Sequence, residues 1–320
     1  MLHIECVACC KKVYYYMRNV FWPIYLNLEH ELLDIARTIH IDDKQLEVYS
    51  MRICDLIVRT VIEVEALSKE LFFANGGTLP EDQQFPYFDT DCMKLLVDMW
   101  NIDKREVLVT SPVFDLQLDE NKIMHPLHKS HKRGTSGADW CQAYQKVKHD
   151  RAKEFKEGKL KYIVRALAAL YVLNLYYREE SLPLGHDSTG NSHDFSLGSQ
   201  IFSVRCHGKG SVVNADGTYA HGDEYDACVY LSVPDEKMYK IAVDEIRLID
   251  TDATQLAVQA LQDELNAQQD PVGYFNTQGQ SRLNELRQKY QAQVSQQRGV
   301  NIGKIMYKMS YDGVLNKHQI

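Results

Sequence analysis

Residues 139–156 read Asp-Trp-Cys-Gln-Ala-Tyr-Gln-Lys-Val-Lys-His-Asp-Arg-Ala-Lys-Glu-Phe-Lys, and they decide the fold class. The stretch has good helix formers and neither proline nor glycine, and Trp140 and Tyr144 stand one helical turn apart. Ser136 or Asp139 would cap its start. With about 100° per residue from Trp140, Val147 falls at about 340°, Arg151 at about 20°, Tyr144 at about 40°, Phe155 at about 60° and Lys148 at about 80°. His149 falls at about 180°, on the opposite face. A straight helix therefore puts Arg151 in the apolar stripe, Lys148 on its edge and His149 outward. A cation in such a stripe needs a buried carboxylate, and Glu63 is the expected partner.

The neighbouring chain extends the helical reading. Leu28, Leu32, Ile35 and Ile39 predict a helix over 26–40. Tyr49, Ile53, Leu56, Val64, Leu67 and Leu71 predict a long one over 45–75, closed by Gly76-Gly77. Thr60 and Glu63 interrupt its stripe, and Arg59 and Glu63 are also spaced for a surface pair. Leu95, Leu96, Met99 and Trp100 predict a helix over 91–101, and the valines of 106–118 predict two short strands around Ser111-Pro112. The apolar run 160–178, with its alanines, predicts a closely packed core helix.

Residues 179–198, rich in Gly, Ser, Asp and His, read as a boundary. Beyond it, short strands are expected over 200–205, 210–213 and 227–233, then helices over 235–268 and 281–297 and an irregular tail. The fold class is thus mainly α: a helical bundle over 1–180 with a small β element, a linker over 181–199, and an α+β or helical extension over 200–320.

The 320 residues carry a net charge of −8, unevenly spread. Residues 128–165 hold eleven Lys or Arg against four Asp or Glu, a local +7, so the remainder carries −15. A basic island on an acidic body suits an anionic partner at one face, although lysine runs also serve solubility. Lys129, Lys132, Arg133, Lys146 and Lys153 are its candidate phosphate contacts. None of the eight cysteines suggests a disulfide framework in a chain this long. Cys6-x2-Cys9 lacks the second ligand pair of a zinc ribbon, and His125, His128 and His131 lack a Glu or Cys among them. Cys206, His207, His221 and Cys228 match no zinc spacing. No metal or cofactor is expected. No apolar run reaches membrane-spanning length, and 13–26 lacks a signal-peptide cleavage pattern. The expected location is cytoplasmic, with no membrane partner.

Trp140, Tyr144, Lys148, His149 and Arg151 together form a W-x3-Y-x3-KH-x-R pattern that resembles a HEPN-like helical family, common in bacterial anti-phage and abortive-infection loci. The stretches Tyr49 to Arg52, Glu63 to Glu65 and Lys69-Glu70 resemble that family's first long helix, and 160–177 its closing helix. The resemblance covers about residues 26–180. It implies a homodimer acting on RNA, either as a metal-independent ribonuclease or as an RNA-binding relative. His149, Arg151 and Lys148 would work on the 2′-hydroxyl and the phosphate, with Glu63 orienting Arg151. The family's R-x4-6-H motif does not occur before any histidine of this chain; residues 142–144, where His149 would need an arginine, are Gln, Ala and Tyr. The alternative expectation is a non-catalytic interaction or sensor subunit of a larger defence assembly, contacting a partner protein through its C-terminal helices.

Overall fold

The computed structural model describes residues 19–129, 137–208, 212–213, 219–220 and 223–318. Cys6, Cys9, Cys10, His131, Lys132, Arg133, Gly210 and His221 lie outside these, so the expectations on them have no structural counterpart. Helix makes up 62% of the structure, which establishes a mainly α fold with small β elements. The chain divides into two compact units. The first takes residues up to Leu182, then Asn191–Leu231 and the stretch from Val314; the second takes Pro183–Gly190 and Ser232–Gly313. A linker at 181–199 describes this poorly, because the chain returns to the first unit twice.

In the first unit, α1 spans Phe21–Ala36. It starts earlier than the apolar spacing indicates, because Pro23 lies in the first turn, where its missing N–H is harmless. β1 (Ile41–Asp42) precedes α2 (Met51–Ala74). The α2 start is set by Ser50, whose hydroxyl accepts from the Ile53 N–H at 3.2 Å, and Gly76 ends it at φ +83°. A π-turn over Phe88–Cys92 leads into α3 (Met93–Trp100). Next come β2 (Val107–Val109), β3 (Phe114–Asp115), the short α4 (Asp119–Lys122) and β4 (Ile123–Met124). α5 covers Asp139–His149, α6 Arg151–Glu154 and α7 Leu160–Arg178. After β5 (Leu182–Gly185) come β6 (Phe202–Ser203), β7 (Cys206–Gly208), β8 (Val212–Val213), β9 (Tyr219–Ala220) and α8 (Asp223–Ala227).

The core is built on α7. Every residue from Ala166 to Tyr176 is buried, so this helix is enclosed all round rather than amphipathic. It packs against α1, α2 and α5. Ala166, Ala168 and Ala169 let those neighbours approach closely. Two buried polar side chains, Glu29 and Arg105, brace the unit. Glu29 of α1, 1% exposed, accepts hydrogen bonds from Tyr25 Oη (2.7 Å), the Ser199 hydroxyl and the Gln200 and Ile201 N–H groups (3.1 Å). Arg105, fully buried, donates to Tyr176 Oη (2.9 Å), the Asn316 carbonyl (2.9 Å) and the carbonyls of Trp100 and Asp226. Each side chain makes four or more hydrogen bonds, most of them to groups distant in sequence, which offsets its desolvation. β2 lies between β4 and β6, pairing Val107 with Met124 and Val109 with Phe202, and β1 pairs in parallel with β3.

β10 (Tyr230–Pro234) starts in the first unit and ends in the second. There Asp235 caps α9 (Glu236–Asn266) by accepting from the Met238 N–H at 2.9 Å. α10 (Pro271–Tyr274) and a π-turn make the bend into α11 (Gln280–Lys308). α9 and α11 pack against each other along a seam of Ala257, Leu261 and Leu286, joined by Leu265, Leu283 and Tyr290. α11 runs eleven residues beyond the expected helix. The expected irregular tail instead forms β11 (Tyr311–Leu315), followed by the fully buried Asn316. Asn316 donates from its side chain to the Tyr225 (2.7 Å) and Cys228 (3.1 Å) carbonyls.

Candidate functional site

The stretch that opened the sequence reading is not one straight helix. α5 ends at His149, and Asp150, at φ −144° and ψ 64°, starts a new turn by accepting from the Lys153 N–H at 3.4 Å. Trp140, Tyr144 and Val147 are buried as their spacing indicates. Arg151 is turned out of that stripe. It is 41% exposed, and its guanidinium donates to Asp55 of α2 at 2.7 Å. Glu63 is therefore not its partner. Glu63 lines a separate hollow of about 570 Å³ with Ile24, Leu28 and Ile62, where burial raises its carboxyl above the usual range. Arg59 does not pair with Glu63 either; it holds Glu31 of α1 at 2.7 Å.

The remaining candidates sort by partner. Lys146 meets Glu157 at 3.6 Å and Lys153 meets Asp150 at 3.0 Å, so neither projects as a lone cation. Lys148 stands over the Tyr144 ring at 5.2 Å and acts on Glu65 of α2. His149 is exposed, and its Nε2 lies 3.2 Å from Gln145 Oε1. Lys129 is exposed and acts on Asp89.

Glu65, Gln145 and Asp89, the three groups those side chains reach, line one groove of about 580 Å³. α2 contributes Glu65 and Lys69 to one wall, α5 contributes Cys141 and Gln145 to another, and the segment Pro86 to Thr90 completes the lining. Both pairs of wall residues are four apart, so each occupies one helix face. Phe88 is fixed against Trp140, with ring centroids 6.0 Å apart, and the Trp140 indole N–H donates to the Pro126 carbonyl at 2.7 Å. Gly137 passes so close to Asp89 that a Cβ there would lie 2.5 Å from its carboxylate oxygen. Tyr87 is 67% exposed at the rim, and Phe85, two residues earlier, is 64% exposed.

The electrostatics follow from depth. Burial raises the Glu65 carboxyl; Lys148 and Lys69 pull it back, and Asp89 adds to the rise. Burial likewise raises Asp89, opposed by Lys129. Cys141, at the base, is pushed up to about 12 by burial, with Asp89 and Glu65 adding to it, so it is an inert thiol. Burial thus disfavours the charged form of both carboxyls, while Lys69 in the lining and Lys148 and Lys129 near it act in the opposite sense. Tyr87 and the groove itself escaped the sequence reading, and Lys69 entered it only within the resemblance of α2, not as a contact. Only the position of Lys69, four residues after Glu65, signalled a shared face.

The histidine and cysteine constellations have other roles. His125 Nδ1 lies 3.1 Å from the Lys104 carbonyl and its Nε2 3.7 Å from Glu106, which also meets Arg205 at 3.4 Å. Cys228 is buried, and burial pushes its thiol up to about 11. Among the described residues, no group of three or more His, Cys, Asp or Glu is arranged to hold a metal ion. No described helix is long and apolar enough to cross a membrane. No known family, characterised protein or solved structure matches this chain.

Proposed function

We propose that this chain is an RNA-binding relative of the HEPN ribonucleases that holds a single strand in the α2–α5 groove without cutting it. The observation that carries the reading is a groove lined by Lys69 and the exposed Tyr87, with Lys148 and Lys129 near enough to act on its carboxyls Glu65 and Asp89. Lysines that track phosphates, beside an aromatic ring on which a base stacks, are how proteins take single strands with little sequence preference. Cleavage is left out because His149 has only the Gln145 amide beside it, and Arg151 is engaged by Asp55. A general base and a phosphate-stabilising cation must face the same reacting atoms.

The test is fluorescence anisotropy with a short labelled RNA across a salt series. Three phosphate contacts give a log–log salt slope of about −2. The double variant Lys69→Glu, Lys148→Glu is expected to weaken binding at least about tenfold at low salt. Absence of binding at low salt, or binding indifferent to salt, would sink the proposal. The same RNA on a gel, with and without chelator and beside His149→Ala, is expected to stay intact in every lane. Cutting that His149→Ala abolishes would restore the nuclease. The anti-phage setting that the resemblance implies is tested by expression in a bacterial host, where toxicity relieved by the lysine double variant is the expected sign.

A second reading, a protein-docking subunit, draws on the second unit, where Ile246 and Tyr307 among others leave large apolar side chains exposed.

A further inference from the structure

α9 and α11 hold each other by a thin seam. Their fully buried apolar residues are Ala242, Ala253, Ala257, Leu261, Leu286 and Val294, and half of these are alanines. Over the same two helices, Ile241, Leu248 and Leu256 of α9 and Val300 and Tyr307 of α11 are between 39% and 85% exposed. Their placement is regular. Ile241 and Leu256 each stand one residue before a buried alanine, Ala242 and Ala257, and Leu248 one before the half-buried Ile249. One residue is about 100° round the helix. α9 thus carries two apolar stripes roughly a quarter-turn apart, while the hairpin supplies a partner for only one. That is the pattern of a helix in a four-helix bundle, which packs against two neighbours. Val300 and Tyr307 are seven residues apart and form the matching line on α11.

Charge selects the occupant. α9 has seven Asp or Glu against three Lys or Arg, a net −4; α11 has six Lys or Arg against one Glu, a net +5. Within one hairpin this asymmetry is used by Arg282 on Glu264 (2.8 Å), Arg287 on Asp250 (2.6 Å) and Arg298 on Asp252 (2.6 Å) and Glu245 (2.8 Å). Among the described residues, Lys304 and Lys308 of α11 have no carboxylate partner within the chain. A two-fold operation sets the α9 of one hairpin against the α11 of another, acid facing base on both sides, without any further protein.

We propose that the second unit is a self-association module: two copies of this chain pair their α9–α11 hairpins into a four-helix bundle. The second stripe, Ile241, Leu248 and Leu256, is buried, and α9 of each copy faces α11 of the other. This inference does not depend on the RNA reading of the first unit, and it places dimer formation on a surface that the HEPN resemblance does not cover.

Sedimentation equilibrium of the full chain is expected to give twice the monomer mass at micromolar concentration. The double variant Ile241→Lys, Leu248→Lys should run as a monomer with unchanged far-UV circular dichroism, since both side chains are exposed in a single copy. The reversal Lys304→Glu, Lys308→Glu should weaken the dimer about tenfold or more, and less so in high salt. It keeps the proposal testable if the first variant loses helix. A monomeric wild-type chain overturns the proposal, and so does a dimer that neither variant weakens, because that dimer would be formed by the first unit.

Discussion

The two units solve the problem of burying a helix in opposite ways. α7 of the first unit is enclosed on every side by large residues, with Trp100, Trp140 and Tyr176 among the fully buried side chains. α9 of the second unit, much longer at 31 residues, buries four residues fully, three of them alanines. The first helix is stabilised by area removed from water. The second relies on length, ion pairs and helix propensity, with surface left over. Because area dominates folding free energy, substitutions in the two units should differ sharply in cost.

All three tryptophans, Trp22, Trp100 and Trp140, belong to the first unit, so their fluorescence reports that unit alone. In urea, the fluorescence and far-UV circular dichroism transitions should separate, the helix signal beginning to fall first. Coincident transitions would erase the contrast. The largest single effect expected is from Leu167→Ala in α7, where the site is fully buried: a loss of about 3–5 kcal/mol, read from the tryptophan transition. Gly158→Ala comes next. Its Cβ would strike Cys54 Sγ and lie 3.2 Å from Cys54 Cβ, so the buried thiol would have to turn away, at about 2–3 kcal/mol. Leu261→Ala in the hairpin is expected to cost about 2 kcal/mol, at the lower end of the range for buried leucine. It should lower the dichroism transition and leave tryptophan fluorescence alone. Arg151→Ala removes a half-exposed ion pair and should cost less than about 1 kcal/mol.

The smallest effect concerns pH. Burial holds the folded-state pKa of Glu65 above its unfolded value, so the native state keeps that proton more tightly. Stability from this group is present at pH below the unfolded value and declines as pH rises through the folded one. Glu65→Gln should therefore raise the melting temperature at neutral pH and change little in acid. A fall at neutral pH would mean that the ionised carboxylate is needed by Lys148 and Lys69.

The sequence was legible where one helix periodicity ran without competition. The stripe of α2, and Trp140, Tyr144 and Val147 of α5, follow directly from 3.6-residue spacing, and the enclosure of α7 follows from its unbroken apolar run. Arg151 was misplaced because Asp150 offers its side chain to the backbone and resets the helical phase, a local contest that an apolar count does not register. Glu29 and Arg105 gave no sign of their burial, since their partners lie about residues 199–201 and 226 and at Asn316. Of the groove, the sequence showed the basic stretch and hence Lys148 and Lys129. The segment Pro86 to Thr90 is brought to the groove by the tertiary fold, and no spacing links it to α5.

Asn316 carries one further consequence, for synthesis. Its carbonyl meets Arg105 across 211 residues of chain, and the whole second unit is made between the two. At about 5–20 residues per second, a ribosome needs about 10–40 s to cover that distance. Tyr176 and the Asp226 carbonyl join Arg105 on the way; for the last roughly 90 residues, about 4–18 s, the guanidinium lacks only the Asn316 carbonyl among its four acceptors. The hairpin is thus synthesised before the last segment of the first unit, whose chain encloses it in sequence.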